Sequence, residues 1–217
     1  RSGSPSVVAI PKRTEPSVSR ILDAAQARFF SHGFSRATMD ELAADLGMSK
    51  RTLYRHFRTK EALLERVTDR FTSELAREMD RTLDDASLTL PARAAAVLDI
   101  VGRRLALMNR FFLEDMARHS PRTWKRIEEF RKRRIFEVFG TLLAEGIAKG
   151  HFRQDLDPAL ILQIYFHSIQ SILNPHTLST LPQAPAQVFR TLDSVLFEGM
   201  LTERGRRLAA AGRRKET

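Results

Sequence analysis

Residues Thr38 to Lys60 read TMDELAADLGMSKRTLYRHFRTK, and this segment predicts the structure of the N-terminal region. Thr38 is followed three residues later by a glutamate, and this spacing is typical of the capping box that begins a helix. Gly47 predicts the end of that helix, because glycine enters the left-handed region without a side-chain clash. Ser49 then caps a second short helix. Two short helices joined by Gly-Met-Ser predict a helix-turn-helix motif over residues 38–57.

The second helix of this motif has an apolar side and a basic side. Leu53 and Phe57 are four residues apart, so they share one face and are predicted to enter the core. Between Ser49 and Lys60 the sequence has five basic residues and no acidic one. Because an α-helix fits the major groove of DNA, we predict that the opposite face binds DNA. That face carries Lys50, Arg51, Thr52, Tyr54, Arg55 and His56.

Three side chains of this region suit phosphate oxygens. Tyr54, His56 and Lys60 each offer a hydrogen-bond donor of the kind that positions a protein on the DNA backbone. Two alternatives stay open when the residues are taken singly. Tyr54 also fits a core position whose hydroxyl reaches water, and His56 also fits an ordinary surface position.

The net charge of +10 is concentrated at the two ends of the chain. Residues 1–60 hold 11 basic residues against 5 acidic ones, whereas residues 61–202 hold 19 of each. The remaining excess of positive charge lies in residues 203–217. A basic first domain on a neutral body indicates a polyanionic partner, and a basic surface without a partner is the competing interpretation.

The composition excludes several classes of protein. The 217 residues include no cysteine, which removes disulfides, thiolate metal sites and cysteine nucleophiles. No run of 18 apolar residues is present and the first six residues lack an apolar signal core, so we expect a cytoplasmic protein without a membrane span. The six histidines are scattered, and the HExxH, GxGxxG and P-loop motifs are missing. We therefore expect neither an enzyme nor a bound metal or cofactor.

Proline placement predicts an all-α protein. No proline lies between Pro16 and Pro91 or between Pro121 and Pro158, and both intervals show helical periodicity without strand-like alternation. A long helix is predicted from about Thr59 to Asp84, and at ~1.5 Å per residue it would be long enough to bridge two domains.

The remaining helices and the domain boundaries follow from the same signals. A first helix is predicted from Pro16 to the His32-Gly33 stop. Further helices are predicted at about residues 91–108, 110–118, 121–149, 158–174 and 185–202. The chain divides into a flexible basic arm at 1–14, a helix-turn-helix domain at 15–62, a regulatory and dimerisation domain at 63–202, and a disordered basic tail at 203–217.

The segment from about Ser17 to Ala76 resembles the DNA-binding domain of the tetracycline-repressor (TetR) family of bacterial regulators. The resemblance rests on Thr-Leu-Tyr-x-His-Phe at residues 52–57 and Lys-Glu-Ala-Leu at residues 60–63. It implies an Ω-shaped all-α homodimer whose three N-terminal helices bind a palindromic operator. It also implies phosphate contacts from Thr38, Tyr54, His56 and Lys60, and positions near the bases for Lys50, Arg51 and Thr52.

Two functions are compatible with this resemblance. In the family, a ligand in the larger C-terminal domain changes the spacing of the recognition helices, which implies a repressor released from double-stranded DNA by a small apolar effector. The alternative is a constitutive or architectural DNA-binding protein of the same fold without an effector.

Large apolar residues in the C-terminal region indicate a candidate effector pocket, since methionine and aromatic side chains adapt to flat apolar ligands. Most of them are equally good candidates for the core. Arg134 interrupts an apolar stripe, where it would orient a ligand or pair with a glutamate. Gln163, His167, Gln170 and Asn174 form a polar stripe that also fits a solvated face or a dimer seam. The candidate pocket residues are Met108, Phe111, Phe112, Met116, Trp124, Arg134, Phe139, Tyr165 and His167.

The helices predicted at 158–174 and 185–202 carry more apolar surface than one protomer covers. In the family that the chain resembles, the corresponding pair meets its two-fold mate as a four-helix bundle. We therefore predict a homodimer through these two helices. Ser168 and Ser171 would allow close approach, and Leu192 and Val195 would lie in the interface.

Overall fold

The computed structural model describes residues 18–213, and the regular elements in this part of the chain are all helices, without a strand. The predicted all-α class is therefore confirmed. The elements are α1 Val18–His32, α2 Met39–Asp45, α3 Lys50–His56, α4 Lys60–Leu83, α5 Leu90–Ala106, α6 Arg110–His119, α7 Pro121–Arg134, a π-helical turn Ile135–Phe139, α8 Gly140–Ala148, α9 Pro158–Ile172, α10 Pro175–Thr180, α11 Pro185–Met200 and α12 Glu203–Arg213.

Helices α1 to α3 and the first turns of α4 enclose an N-terminal core. Its fully buried side chains include Ile21, Phe29, Leu42, Leu53 and Leu64. Each large apolar side chain removed from water contributes ~1.5–3 kcal/mol, so this small unit depends on a few positions. Helix α1 ends at Gly33, whose φ of +92° is a left-handed conformation that favours glycine.

Helix α4 joins this N-terminal unit to the rest of the chain. Its 24 residues give a length of roughly 36 Å at ~1.5 Å per residue, in agreement with the predicted long helix. It packs against α1 at one end and against α5 and α7 along the remainder. The boundary predicted at residue 62 therefore falls inside the first turn of a continuous helix.

The C-terminal region is built around α5, which packs against α4, α8, α11 and α12. Proline occupies the first turn of α5, α7, α9, α10 and α11, where its missing N–H has no intrahelical partner to lose. The predicted helix at 121–149 is present, with the π-helical turn Ile135–Phe139 interrupting its α-helical hydrogen bonds. Such turns alter the direction of the following side chains and often lie at functional sites.

The prediction of a disordered tail from residue 203 is wrong for residues 203–213, which form α12. Thr202 caps this helix: its hydroxyl accepts the N–H of Gly205 at 3.1 Å, and its own N–H donates to the His151 carbonyl at 3.0 Å. A Cβ at Gly205 would lie 2.1 Å from the same carbonyl, so the close contact requires glycine. The basic arm at 1–14 and residues 214–217 lie outside the described residues.

Helix α10 was also missed by the sequence patterns, because it is short. Its N-cap is Asn174, whose side-chain oxygen accepts the N–H of Thr177 at 2.9 Å. This cap explains why Asn174 does not continue the polar stripe that its spacing indicated. Among the described residues, no helix combines the length and the apolar character needed to cross a bilayer.

Candidate DNA-binding surface and effector cavity

The helix-turn-helix motif forms with the caps that the sequence predicts. The Thr38 hydroxyl accepts the N–H of Glu41 at 3.2 Å, and the Glu41 carboxylate accepts the N–H of Thr38 at 3.0 Å. The hydrogen bonds from Thr38 lower the pKa of the Glu41 carboxyl, so the cap stays ionised at neutral pH. Gly47 makes the turn with a φ of +63°, and Ser49 caps α3 by accepting the N–H of Thr52 at 3.1 Å.

Helix α3 divides into a buried face and an exposed face. Leu53 is fully buried and Phe57 almost so, and both pack in the N-terminal core. The exposed face carries Lys50, Arg51, Tyr54 and Arg55, with 45% of Tyr54 accessible. This exposure favours the DNA-facing interpretation of Tyr54 over a core position.

Polar contacts within and between α1, α2 and α3 organise this surface. Lys50 forms an ion pair with Asp40 of α2. Thr52 is half-buried, and its hydroxyl lies 2.9 Å from the Ser49 hydroxyl. Arg28 of α1 fixes the position of α2 through ion pairs with Glu41 at 3.1 Å and Asp45 at 2.9 Å.

Lys60 has a different position from the one that the sequence predicts. Its ammonium donates to three backbone carbonyls of the loop between α1 and α2, those of Phe34 at 2.9 Å, Ser35 at 3.2 Å and Ala37 at 3.0 Å. It also lies 4.5 Å from the centroid of the Phe34 ring. A lysine has three N–H donors, and all three are used here. This arrangement does not support the predicted phosphate contact and indicates a clamp on the loop.

His56 is also less accessible than predicted. The residue is half-buried, and its Nε2 is buried without a hydrogen-bond partner among residues 18–213. That nitrogen is out of reach of a phosphate in this arrangement. The helical spacing placed His56 on the exposed face, but it lies at the edge of that face, next to Phe57.

A cavity of about 160 Å³ lies between α4, α5, α6, α7, the π-helical turn and α9. Its walls are almost entirely apolar, and the hydroxyls of Thr68 and Thr72 on α4 are bonded to carbonyls of their own helix. Seven of the nine residues predicted for a pocket line it: Met108, Phe112, Met116, Trp124, Arg134, Phe139 and Tyr165.

Two predicted pocket residues lie elsewhere. Phe111 is 56% exposed on the outside of α6, because it is one helical step from the inward-facing Phe112. His167 is exposed on the outer face of α9, two residues from the buried Tyr165. The polar stripe is divided as well, since Gln163 is exposed whereas the amide of Gln170 donates to Glu128 of α7 at 3.1 Å.

Three arginines line the cavity, and two of them are ion-paired. Arg104 pairs with Glu78 at 2.8 Å, and its hydrogen bonds hold the pKa of that carboxyl below its usual value. Arg134 pairs with Asp80 across to α4 and with Glu137 at 3.7 Å, so it follows the ion-paired alternative rather than the ligand-orienting one.

Arg131 is the third arginine, and the sequence reasoning missed it. It lies seven residues after Trp124 and four after Ile127, so the helical spacing that indicated those residues also contained the signal for Arg131. Within the described part of the chain it has no ion pair and no hydrogen bond to a carboxylate. Burial lowers the pKa of its guanidinium, against a smaller opposite effect of Glu128.

Comparison with known proteins identifies the family. The sequence profile of the bacterial regulatory proteins of the TetR family matches residues 21–67, which contain the whole helix-turn-helix motif. The chain carries the DNA-binding domain of the TetR family of transcriptional regulators. It is therefore a DNA-binding regulator and not an enzyme.

Similarity to other proteins extends over most of the chain. The HTH-type transcriptional repressor DhaR of Mycobacterium sp. strain GP1 is 28% identical over 181 residues, which cover 80% of this chain and 86% of that protein. The crystal structure of a transcriptional regulator from Cytophaga hutchinsonii aligns with a TM-score of 0.64 at 22% identity, over 85% of this chain and 98% of that one. The SmeT–triclosan complex aligns with a TM-score of 0.60 at 18% identity, over 85% and 91% of the two chains.

In this TetR-family regulator, α6 and its N-cap connect the cavity to the DNA-binding motif. Asn109 donates its backbone N–H to the Phe30 carbonyl at 3.2 Å and its side-chain amide to the Ser31 carbonyl. The Asp115 carboxylate accepts the backbone N–H of Ser35, just before α2. The ring centroids of Phe30 and Phe112 are also 4.7 Å apart, so the cavity wall contacts the end of α1.

Proposed function

We propose that this TetR-family regulator is a homodimeric repressor that binds a palindromic operator and is released by a small effector in the cavity. The observation that carries the proposal is the double role of residues 108–119, which wall the cavity and hydrogen-bond to the end of α1 and the following loop. A ligand that favours a different position of this segment would also favour a different position of the motif. SmeT, which shares the fold, forms a complex with triclosan, and this supports an effector in the present cavity.

The proposed DNA surface consists of the exposed face of α3 and the N-terminus of α2. Arg51 and Lys50, near the N-terminus of α3, would reach base edges, and Tyr54 and Thr38 would position the motif on phosphates. Thr52 and Arg55 complete the surface. In the dimer, two such surfaces would bind half-sites whose centres are about 34 Å apart or a larger near-multiple of a helical turn.

Arg51→Ala should weaken binding to the preferred operator and relax its sequence preference. An arginine bonded to a guanine edge contributes about 1–3 kcal/mol of discrimination, which corresponds to roughly 5- to 150-fold in affinity. Selection of genomic fragments followed by fluorescence anisotropy measures both effects. Arg77→Ala, an exposed arginine on α4, is the matched control. An unchanged preference in the Arg51 variant would exclude this base contact.

The proposed dimer interface lies on the outer faces of α9 and α11, which pack side by side in the protomer. Leu160 and Ile164 of α9 are 59% and 42% exposed, and Val195 of α11 is 69% exposed. Exposed large apolar side chains on neighbouring helices are typical of a self-complementary interface. A second copy of the chain would cover these faces as a four-helix bundle.

A thermal-shift experiment against a panel of metabolites tests for an effector. A compound that binds only the folded protein raises its unfolding temperature by mass action. Compounds that do so are then tested for release of the operator. Tight operator binding without any stabilising or releasing compound would instead identify the constitutive DNA-binding protein.

Asp115→Ala should uncouple the cavity from the motif. It removes the acceptor for the Ser35 N–H while leaving the exposed face of α3 intact, so operator affinity should stay within a few-fold of wild type. The effector-induced loss of affinity should fall from the roughly 5- to 150-fold typical of allosteric coupling toward none. Asp115→Asn, which keeps an acceptor oxygen, should restore most of the response. A full response in the alanine variant would show that the coupling between the cavity and the motif does not depend on the hydrogen bond between Asp115 and Ser35.

A further inference from the structure

We propose that the effector is a compact monocarboxylate whose anionic head pairs with Arg131 and whose apolar body fills the cavity. This inference rests on the proposed function, and it assigns the chemical class of the ligand. The apolar cavity walls suit the hydrocarbon body of such a ligand. Three arginines line the same cavity, and a guanidinium group suits the anionic head.

The three arginines differ in what they already bind. Arg104 and Arg134 are held by carboxylates of α4, namely Glu78 and Asp80. The Arg131 guanidinium has no carboxylate within ion-pair distance among residues 18–213. The Glu128 carboxylate, one turn earlier on α7, acts on the pKa of Arg131 through its charge, and it accepts a hydrogen bond from Gln170. Arg131 is therefore the arginine of the cavity wall that is available to an anion.

Trp124 helps to hold the Arg131 guanidinium at the cavity wall. The guanidinium carbon lies 5.8 Å from the centroid of the Trp124 ring, within the range of a cation–π contact. Such a contact compensates only part of the hydration that a half-buried cation loses, and this desolvation lowers the pKa of the group. A carboxylate that enters the cavity would supply the missing counter-charge and two acceptors for the fork of N–H donors.

The polar groups of the other walls are consistent with a single anionic head. Tyr165 of α9 lines the cavity, and burial raises the pKa of its phenol well above the ordinary value, so the group stays a neutral donor. Its ring stacks on Phe139 at 4.4 Å between centroids, which leaves the hydroxyl end as its polar feature. The remainder of the wall suits hydrocarbon.

The volume limits the size of the ligand. An apolar cavity of ~150 Å³ accommodates a molecule of about the size of benzene. The present cavity of about 160 Å³ therefore fits an aromatic or medium-chain monocarboxylate rather than a large polycyclic acid. Phenylacetate and octanoate are suitable probes, and their primary amides have nearly the same shape without the charge.

Isothermal titration of the full chain with phenylacetate, octanoate and the two amides tests the inference. Wild-type protein should bind each acid at least about tenfold more tightly than its amide, since charge-assisted hydrogen bonds are roughly twice as strong as neutral ones. In Arg131→Met this ratio should fall to about one, whereas Arg131→Lys should keep part of it. Arg133→Met, an exposed arginine two residues away on α7, should behave as wild type.

The outcomes separate this inference from the proposed function. Equal binding of acid and amide by wild type, binding of neither, or an unchanged ratio in Arg131→Met would overturn the carboxylate assignment. If the amides bind equally well and release the operator, effector control stands without Arg131. If Arg131→Met does not fold, the acid-to-amide ratio of the wild type decides alone. Effector control itself fails only when the broad panel contains no compound that releases the operator.

Discussion

Sedimentation of the Val195→Arg protein should give a monomer, and its affinity for a palindromic operator should fall by roughly 10²- to 10⁴-fold. Val195 is 69% exposed on α11, so the new arginine is solvated in the isolated protomer and leaves the fold intact. In a two-fold interface each substitution occurs twice, so two arginines would enter one apolar seam. Their repulsion and desolvation oppose association, and a monomer engages only one half-site at a time.

The controls for this prediction come from the same helix. Ser194→Arg adds the same charge at an exposed neighbouring position that faces α5, and it should remain dimeric. Leu192 is unsuitable as a probe although the sequence indicated it, because it is 9% exposed and packs inside the protomer. A Val195→Arg protein that stays dimeric with wild-type helical content would remove α11 from the interface.

The elements that could be predicted from sequence are those with chemical signals at their ends. Thr38, Ser49 and Thr59 accept the first-turn amides of α2, α3 and α4, and each is a residue type whose side chain performs that function. Gly33 and Gly47 adopt positive φ where the sequence predicted helix ends. These signals act over three or four residues, so they are readable without knowledge of the tertiary structure.

The cavity was less predictable, because its lining depends on which way each helix faces. A step of one residue turns the side chain by about 100°, which is enough to place Phe112 in the cavity and Phe111 in solvent. The same uncertainty applies to the arginines of α7. The apolar neighbours of Arg134 predict a place in the pocket, but its ion-pair partner, Asp80, lies 54 positions away on α4. Long-range ion pairs of this kind have no local signal in the sequence.

The tail was mispredicted for a related reason. Charge suggested disorder from residue 203, yet α12 depends on the cap at Thr202 and on the contact of Gly205 with the His151 carbonyl. Neither contact involves a charged side chain, and the His151 carbonyl lies 54 positions before Gly205 in the sequence. The basic composition reflects the solvent-facing side of α12. The helix is stabilised by the few small residues, such as Ala209, that it buries where it packs against α5.

Lys60→Met should lower the free energy of unfolding by about 2–4 kcal/mol, because three carbonyls lose a charged donor. For a chain of this size, that loss corresponds to a decrease in unfolding temperature of roughly 5–15 °C. Differential scanning calorimetry of the wild-type and variant proteins measures it. The salt dependence of operator binding should keep its slope, since the ammonium is turned toward the loop and away from the DNA.

Lys50→Met provides the matched comparison for Lys60. Lys50 is exposed at the start of α3 and forms one surface ion pair within residues 18–213, with Asp40, so its loss should change the unfolding temperature by little. It should instead weaken operator binding and reduce the salt slope, by up to about 0.9 per subunit, since an ammonium group that reaches the base edges also displaces counterions from the neighbouring phosphates. The two lysines would then have separable roles, Lys60 in holding the loop between α1 and α2 and Lys50 in binding DNA. The opposite pattern, a stable Lys60 variant with a reduced salt slope, would restore the phosphate contact that the sequence predicts, because a lysine that holds only the loop has no phosphate counterion to release.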